Sequence, residues 1–274
     1  MTVHADTRVF TLLGDPVSHS LSPALQNAAF AAAAVNAVYV ALRCAAGTAP
    51  GLLRAIALAG GGGNITIPHK TSVIHALDSR TGAVDATGAC NTFWLEDGRV
   101  CGDNTDVEAF AAAARTLVQS LDHTRVLLMG AGGAARAVLH ALLQHGAASI
   151  DVVNRTSARA RELATFFDPH GRCIRVRDRH DVAGHTYDLM VNATAVGMAD
   201  GATHVVDPAV LAGCGAVLDL VYRHGGTALV HRARERGIPA ADGLDMLVAQ
   251  GALAFTRWFG RAAPVDAMRA AVNP

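Results

Sequence analysis

No hydrophobic run in this chain is long enough to cross a membrane. Charged residues or prolines interrupt each one short of the roughly 20 apolar residues that a span requires. Charge is scarce too: 23 Lys and Arg balance 23 Asp and Glu, 17% of residues are charged, and neither a basic tract nor an acidic tail occurs. Nucleic-acid binding is therefore not expected. The five cysteines, Cys44, Cys90, Cys101, Cys173 and Cys214, are odd in number and form no C-x-x-C pair. Neither a disulfide framework nor a zinc site is indicated, and the cysteines read as small core residues. Of the 13 histidines none stands in H-E-x-x-H or a comparable ligand spacing, so no metal is expected. Met1 to Arg8 lacks a basic region leading into an apolar core, which makes a cytoplasmic location the expectation. Internal repeats are missing, as is any linker long enough to separate independent domains.

With 274 residues, 51% of them hydrophobic, the chain is long for one core and comfortable for two. Its clearest pattern runs from Arg125 to Arg159. The apolar run Val126-Leu127-Leu128-Met129 passes into Gly130-Ala131-Gly132-Gly133-Ala134-Ala135. An Ala/Leu-rich segment to His145 and a second apolar run, Ile150-Asp151-Val152-Val153, follow. The order reads as strand, glycine turn, helix, strand. Gly130 and Gly132 take the first two positions of G-x-G-x-x-G/A, permitting a tight turn and close backbone approach to a pyrophosphate; Ala135 takes the third, close-packing position. The helix then offers unpaired N–H groups to phosphates. About twenty residues on, where NAD-binding folds place an acid for the ribose 2′-hydroxyl, stands Asn154-Arg155-Thr156. The missing acid, with Arg155 and Arg159 four apart on one expected helical face, suits a 2′-phosphate held by guanidinium groups and favours NADP over NAD. The same residues also permit a plain packing turn and a Thr156-capped helix with solvated arginines.

Taken in order, Val9 to Leu13 is a strand, followed by Gly14-Asp15-Pro16 and Ser18-His19-Ser20-Leu21-Ser22-Pro23. Pro23 suits the first position of a helix with Ser22 as its N-cap, a site where Ser20 and Ser22 could hold a small carboxylate or simply cap the helix. Ala37 to Leu42 reads as a strand, Pro50 to Leu58 as a helix, and Gly60 to Gly63 leads into a strand that stops at Pro68. A helix starting there would put Lys70 in its first turn, where the dipole disfavours a cation by ~0.3 to 1 kcal/mol; the misplaced charge hints at function, although a solvated lysine is equally permitted. Gly88 to Gly102 reads as a hairpin turning at Asp97-Gly98, and Asp103-Asn104-Thr105-Asp106 opens a helix in which Asp106 complements the dipole. Tyr187 to Thr194 and Ala216 to Tyr222 are further strand-and-turn segments, with a helix from Thr227 to Arg236; Gly243 to Arg261 and Val265 to Val272 are helical by pattern. Alternating strands and helices indicate an α/β fold with a doubly wound half. Lys70 and Asp106 each follow a strand, at the ends where α/β folds bind ligands.

These blocks, Gly88-Ala89-Cys90-Asn91-Thr92, Asn192-Ala193-Thr194 and Asp245-Met246-Leu247 through Gln250 among them, resemble in order and nearly end to end the shikimate dehydrogenase family. The resemblance implies an α/β protein of two domains. Residues 1–105 would form a substrate-binding and catalytic domain, 106–242 a Rossmann NADP-binding domain, and 243–274 C-terminal helices returning to the first, with substrate in the cleft between. It implies Lys70 and Asp106 as the catalytic pair, and Ser20, Ser22, Thr66, Asn91, Tyr222 and Gln250 as substrate contacts. Gly130, Ala131, Gly132, Gly133, Ala134, Asn154, Arg155, Thr156, Arg159 and Thr194 would be cofactor contacts. The implied reaction is reversible hydride transfer between NADPH and 3-dehydroshikimate, giving shikimate, in a monomer or homodimer. In this chain Gln26 stands where the family usually has histidine, Val107 where glycine commonly follows the aspartate, and Arg223-His224 where a residue and proline usually follow the tyrosine. Val107 resembles quinate-accepting relatives, whereas serine at position 22, where threonine accompanies quinate use, favours shikimate. The alternatives are a quinate/shikimate or aminoshikimate-type dehydrogenase of the same family, or a catalytically silent NADP-binding regulatory module.

Overall fold

The computed structural model describes residues 3–198 and 207–273. In chain order its first elements are β1 (Arg8–Gly14), α1 (Ser22–Ala32), β2 (Ala37–Arg43), α2 (Ala49–Leu58), β3 (Gly62–Ile65), β4 (Ser79–Arg80), α3 (Gly82–Thr87), β5 (Thr92–Glu96) and β6 (Arg99–Asp103). Next come α4 (Asp106–Arg115), β7 (Arg125–Met129), α5 (Gly133–Gln144), β8 (Ser149–Val153), α6 (Ser157–Phe167), β9 (Ile174–Val176) and β10 (Leu189–Asn192). The last are α7 (Pro208–Ala212), β11 (Val217–Asp219), α8 (Ala228–Glu235), β12 (Ala240–Ala241), α9 (Leu244–Phe259) and α10 (Val265–Val272). The chain divides into two compact units, one of Met1–Val107 with Leu247–Pro274, the other of Glu108–Met246.

The first unit is built on a mixed sheet of order β2-β1-β3-β5-β6-β4. β1 runs parallel to β2 and β3, while β5 is antiparallel to β3 and β6. Of the glycines from 60 to 63, Gly62 and Gly63 open β3 and Gly61 leads into it. A Cβ on Gly61 would run into the Val9 carbonyl, one on Gly63 into the Thr11 carbonyl, and one on Gly62 would lie 2.7 Å from the Phe93 carbonyl. Only glycine lets β3 lie this close between its neighbours. The β5–β6 hairpin turns at Asp97 (φ 48°) and Gly98 (φ 72°), the left-handed pair of a type I′ turn. Aromatic side chains seat α9 on this sheet: Phe10 of β1 lies 4.9 Å from Trp258 and 5.3 Å from Phe259, ring centre to ring centre. The Trp258 indole N–H also donates to Thr92 Oγ1 at 3.0 Å, satisfying the one polar atom of a buried ring.

The second unit is a fully parallel sheet of order β12-β11-β10-β7-β8-β9. Read from β9, this is the doubly wound order in which the first strand, β7, sits between the second and the fourth. Its central strands are near-continuous apolar runs because both faces are covered. Leu127, Met190 and Val217 are fully buried in one shared core with Val230 and Ala233 of α8. The chain reverses strand order between β7 and β10, which is where open α/β sheets bind ligands.

Three expectations from the sequence are corrected. Ser22 is the first residue of α1 and not its cap: Leu21 holds the cap position in a helical conformation, and the Ser20 hydroxyl accepts the Ser22 N–H at 3.2 Å. Lys70 is not in a helix. β3 ends at Ile65, and the chain from Thr66 to Val73 runs as turns held by His69 N–H to the Thr66 carbonyl and Ser72 N–H to the His69 carbonyl, so the helix-dipole penalty does not apply. Arg155 and Arg159 do not share a helical face, because α6 begins at Ser157 and Arg155 precedes it in the connection from β8. β4, α3, β9 and α7 carry no sequence signal of their own; none is longer than six residues, too short to show a period.

Candidate active site

Within the first unit, the ends of β3, β5 and β6 converge on one carboxylate. Lys70 Nζ lies 2.5 Å from Asp106 Oδ2, and Asn91 Nδ2 donates to Asp106 Oδ1 at 2.7 Å. Both members of the ion pair are largely withdrawn from water, the lysine side chain 13% exposed and the aspartate 6%. A buried ion pair persists only where further hydrogen bonds satisfy its oxygens, and here Asn91 does so.

Each partner is held from behind. The Lys70 carbonyl accepts the Cys90 N–H at 2.7 Å, tying the lysine turn to the approach of β5. The preceding His69 is buried, with its Nε2 3.0 Å from the Cys44 carbonyl. Asn91 Oδ1 accepts the Thr105 N–H at 2.8 Å, and Thr105 Oγ1 donates to the Gln250 carbonyl of α9 at 3.2 Å. Asp103 fixes the start of the same turn: Oδ1 takes the Asn104 N–H at 2.7 Å and Thr81 Oγ1 at 2.5 Å, and Oδ2 takes Arg257 Nε at 2.8 Å. Cys90 is fully buried, and its thiol is pushed up to about 12 chiefly by burial, so it supplies no thiolate.

Of the other expected substrate contacts, Ser20 and Ser22 lie together at the start of α1 with their hydroxyl oxygens 3.1 Å apart. Thr66 lies at the end of β3, its N–H on the Leu13 carbonyl. Asn91 is brought to Asp106 and Thr105, and its amide is spent on those two residues. Gln250 turns its Nε2 to the Leu247 carbonyl of its own helix at 2.8 Å. Tyr222 belongs to the second unit, three residues past the end of β11.

The second unit carries the expected cofactor residues. Gly130 follows β7 with φ 114°, and a Cβ there would lie 2.9 Å from the Ala193 carbonyl and 3.1 Å from Thr194 Cγ2. Glycine is therefore required. Gly132 precedes α5 as its cap, and a Cβ on it would meet nothing within 4 Å. Among the described residues that glycine answers to no neighbour, and the helix N-terminus is open to an approaching group. With Gly133 and Ala134 opening α5, no acidic residue in its first turn, and Ala135 fully buried, the turn after Ala131 fits a pyrophosphate. Asn154 Nδ2 donates to the Thr156 carbonyl at 2.9 Å, shaping the loop in which Arg155 is exposed; Arg159 is exposed one turn on. Thr194 follows β10, its hydroxyl donating to Asn192 Oδ1 at 2.7 Å.

Sequence reasoning missed the residues that brace these groups: His69, Thr105 as the partner of Asn91, the Asp103–Arg257 pair and the Asn192–Asp219 pair. The last two join residues 154 and 27 positions apart, and no local spacing announces such a pairing.

Fold and site define a class: an α/β protein with a Rossmann-type unit and a second unit carrying a braced lysine–aspartate pair. Residues 12–93 match the family described as Shikimate dehydrogenase substrate binding domain, 112–199 Shikimate / quinate 5-dehydrogenase, and 243–272 Shikimate 5'-dehydrogenase C-terminal domain. The chain is 39% identical, over 93% of its length and 94% of the relative's, to the shikimate dehydrogenase (NADP(+)) of Shouchella clausii. Among solved structures it is similar to the shikimate dehydrogenase of Aquifex aeolicus, with a TM-score of 0.89, 32% identity and all of both chains covered. It is also similar to the shikimate 5-dehydrogenase of Thermus thermophilus, solved with NADP(H) and shikimate, with a TM-score of 0.82, 35% identity, and 96% and 98% of the two chains covered. The chain belongs to the shikimate dehydrogenase family.

Proposed function

We propose that this protein is an NADP-dependent shikimate dehydrogenase, interconverting shikimate and 3-dehydroshikimate. The observation that carries the reading is the Lys70–Asp106 pair, 2.5 Å apart, nearly buried and braced by Asn91 at the ends of sheet strands. NADP supplies the hydride chemistry. The protein's task is to orient the acid and to stabilise charge on the reacting oxygen. Lys70, as a positioned ammonium, donates to that oxygen and delivers or receives its proton. Asp106 aims the lysine and accepts from a neighbouring ring hydroxyl. Ser20 and Ser22 anchor the carboxylate, while Thr66, Tyr222 and Gln250 complete the substrate contacts. Because its amide is engaged by Asp106 and Thr105, Asn91 acts on substrate chiefly through the aspartate.

Gly130 to Ala134 hold the pyrophosphate, Asn154, Arg155, Thr156 and Arg159 the 2′-phosphate end, and Thr194 the opposite flank. The serine at position 22 keeps shikimate ahead of quinate. The reading includes residues 1–105 as the substrate domain, 106–242 as the cofactor domain and 243–274 as helices of the first, in a cytoplasmic monomer or homodimer. Its test is reduced-nicotinamide absorbance with purified protein, NADP and a panel of cyclic hydroxy acids. Shikimate should give the highest kcat/KM. Equal or better use of quinate would overturn the substrate assignment, and cofactor binding without turnover at any pH would point to the silent module.

A further inference from the structure

Asp219 closes β11 with 1% of its surface exposed. Its Oδ1 accepts from Asn192 Nδ2 at 2.7 Å and from the Val221 N–H at 3.1 Å, and its Oδ2 accepts from Thr227 Oγ1 at 2.7 Å. Asn192, fully buried at the end of β10, turns its own Oδ1 to the Thr194 N–H at 3.1 Å and to the Thr194 hydroxyl at 2.7 Å. Thr227 Oγ1 in turn accepts the Val230 N–H at the start of α8, at 3.3 Å. One carboxylate therefore joins the loop after β10, which holds Thr194, to the loop after β11, which holds Tyr222, and to the helix that follows. The first of these loops also packs on the glycine turn, since a Cβ on Gly130 would touch Ala193 and Thr194.

Burial opposes this carboxylate, pushing it up from its ordinary 3.8. A buried acceptor bonded from the end of β10, the loop after β11 and the cap of α8 has a use in ordering the three together. We propose that Asp219 is a positioning residue that sets the Thr194 and Tyr222 loops together, so that one buried acceptor governs affinity for both NADP and the acid. This rests on the reading of Thr194 as a cofactor contact and Tyr222 as a substrate contact. Asp219 acts through acceptor geometry: removing the side chain strands the Val221 N–H and leaves the Asn192 amide only its long, 3.4 Å bond to the Val196 carbonyl, whereas a carboxamide keeps an acceptor for both and lets the Thr227 hydroxyl turn to accept from its NH2.

The test uses the intact protein. NADP affinity is read by calorimetry, which needs no turnover, and KM for shikimate and kcat are read separately. Asp219→Ala should weaken NADP and raise KM for shikimate by about tenfold each, the scale of a stranded buried donor, with a smaller fall in kcat. Asp219→Asn should stay within about twofold of wild type, and Asn192→Ala, which cuts only the Thr194 side, should weaken NADP about fivefold and leave KM for shikimate nearly unchanged. Folding of each variant is checked by thermal melting. If Asp219→Ala does not fold, the other two decide. Wild-type affinities in folded Asp219→Ala, losses in Asp219→Asn of the size expected for the alanine, or unchanged NADP affinity in Asn192→Ala each overturn the proposal. A wild-type protein that binds NADP yet oxidises no shikimate overturns the functional reading instead, and the calorimetric comparison still stands.

Discussion

Replacing Lys70 with alanine separates chemistry from binding. In the folded protein the lysine ammonium is the charged partner of Asp106, and its removal leaves the carboxylate, among the described residues, with the Asn91 amide as its side-chain partner. Breaking a buried pair by removing one member costs ~3–5 kcal/mol. Because Asn91 remains and the 13% exposure of the lysine gives water a route to the vacated space, the low end, ~3 kcal/mol, applies here. For a protein of this size that is a melting shift of roughly 6–12 °C. The variant should therefore fold at room temperature, and its kcat should fall ~100-fold or more, as for the loss of a positioned acid/base group. NADP affinity should be unchanged, since the glycine turn, Arg155 and Arg159 all belong to the other unit. The assay is kcat from reduced-nicotinamide absorbance beside calorimetric NADP binding and a melting curve. A folded Lys70→Ala protein with near-normal kcat would refute the mechanism.

Arg155→Asp should weaken NADP and narrow its advantage over NAD, because a carboxylate repels a 2′-phosphate and can bond a ribose hydroxyl; a wild type that uses the two cofactors equally well would contradict this. Ser22→Thr should narrow the preference for shikimate over quinate in kcat/KM, within the ~100-fold that discrimination against one extra hydroxyl reaches; no change would remove Ser22 from substrate selection. Burial pushes the Asp219 carboxyl up from 3.8, with Asp242 adding to the shift and hydrogen bonds from Thr227, Val221 and Asn192 opposing it. The folded state then holds this proton more tightly than the unfolded chain. This group's contribution is fully present below pH 3.8, falls as pH rises through the raised value, and is level above it. The melting temperature of wild type minus that of Asp219→Asn should accordingly decline with rising pH and then flatten; a difference that grows with pH would show the opposite shift.

Strands, the glycine turn and the long helices were legible because each has a local period or a steric requirement. β7 is apolar from Val126 to Met129, Gly130 is needed at φ 114°, and the Asp97-Gly98 hairpin adopts the turn its residues favour. Misread positions depended on context. Pro68 suggested a helix start, but the chain after it is held in turns by His69 and Ser72, so Lys70 sits in a loop. Ser22 looked like a cap because of Pro23, yet Leu21 already has a helical backbone. Why Gly61 to Gly63 must be glycine follows only from the approach of Val9, Thr11 and Phe93, which no local pattern announces. Lys70 and Asp106 could be singled out from the ends of strands, but that they meet, and that Asn91 lies on the other oxygen, follows only from the order β3-β5-β6 in the sheet.

The most direct measurement follows the hydride itself. Shikimate carrying deuterium on the ring carbon that becomes the ketone is incubated with the protein and NADP, and the reduced cofactor is weighed by mass spectrometry. The proposed function predicts NADPH one mass unit heavier, formed in step with 3-dehydroshikimate. Unlabelled NADPH, or none at all from protein that binds both NADP and shikimate, would contradict it.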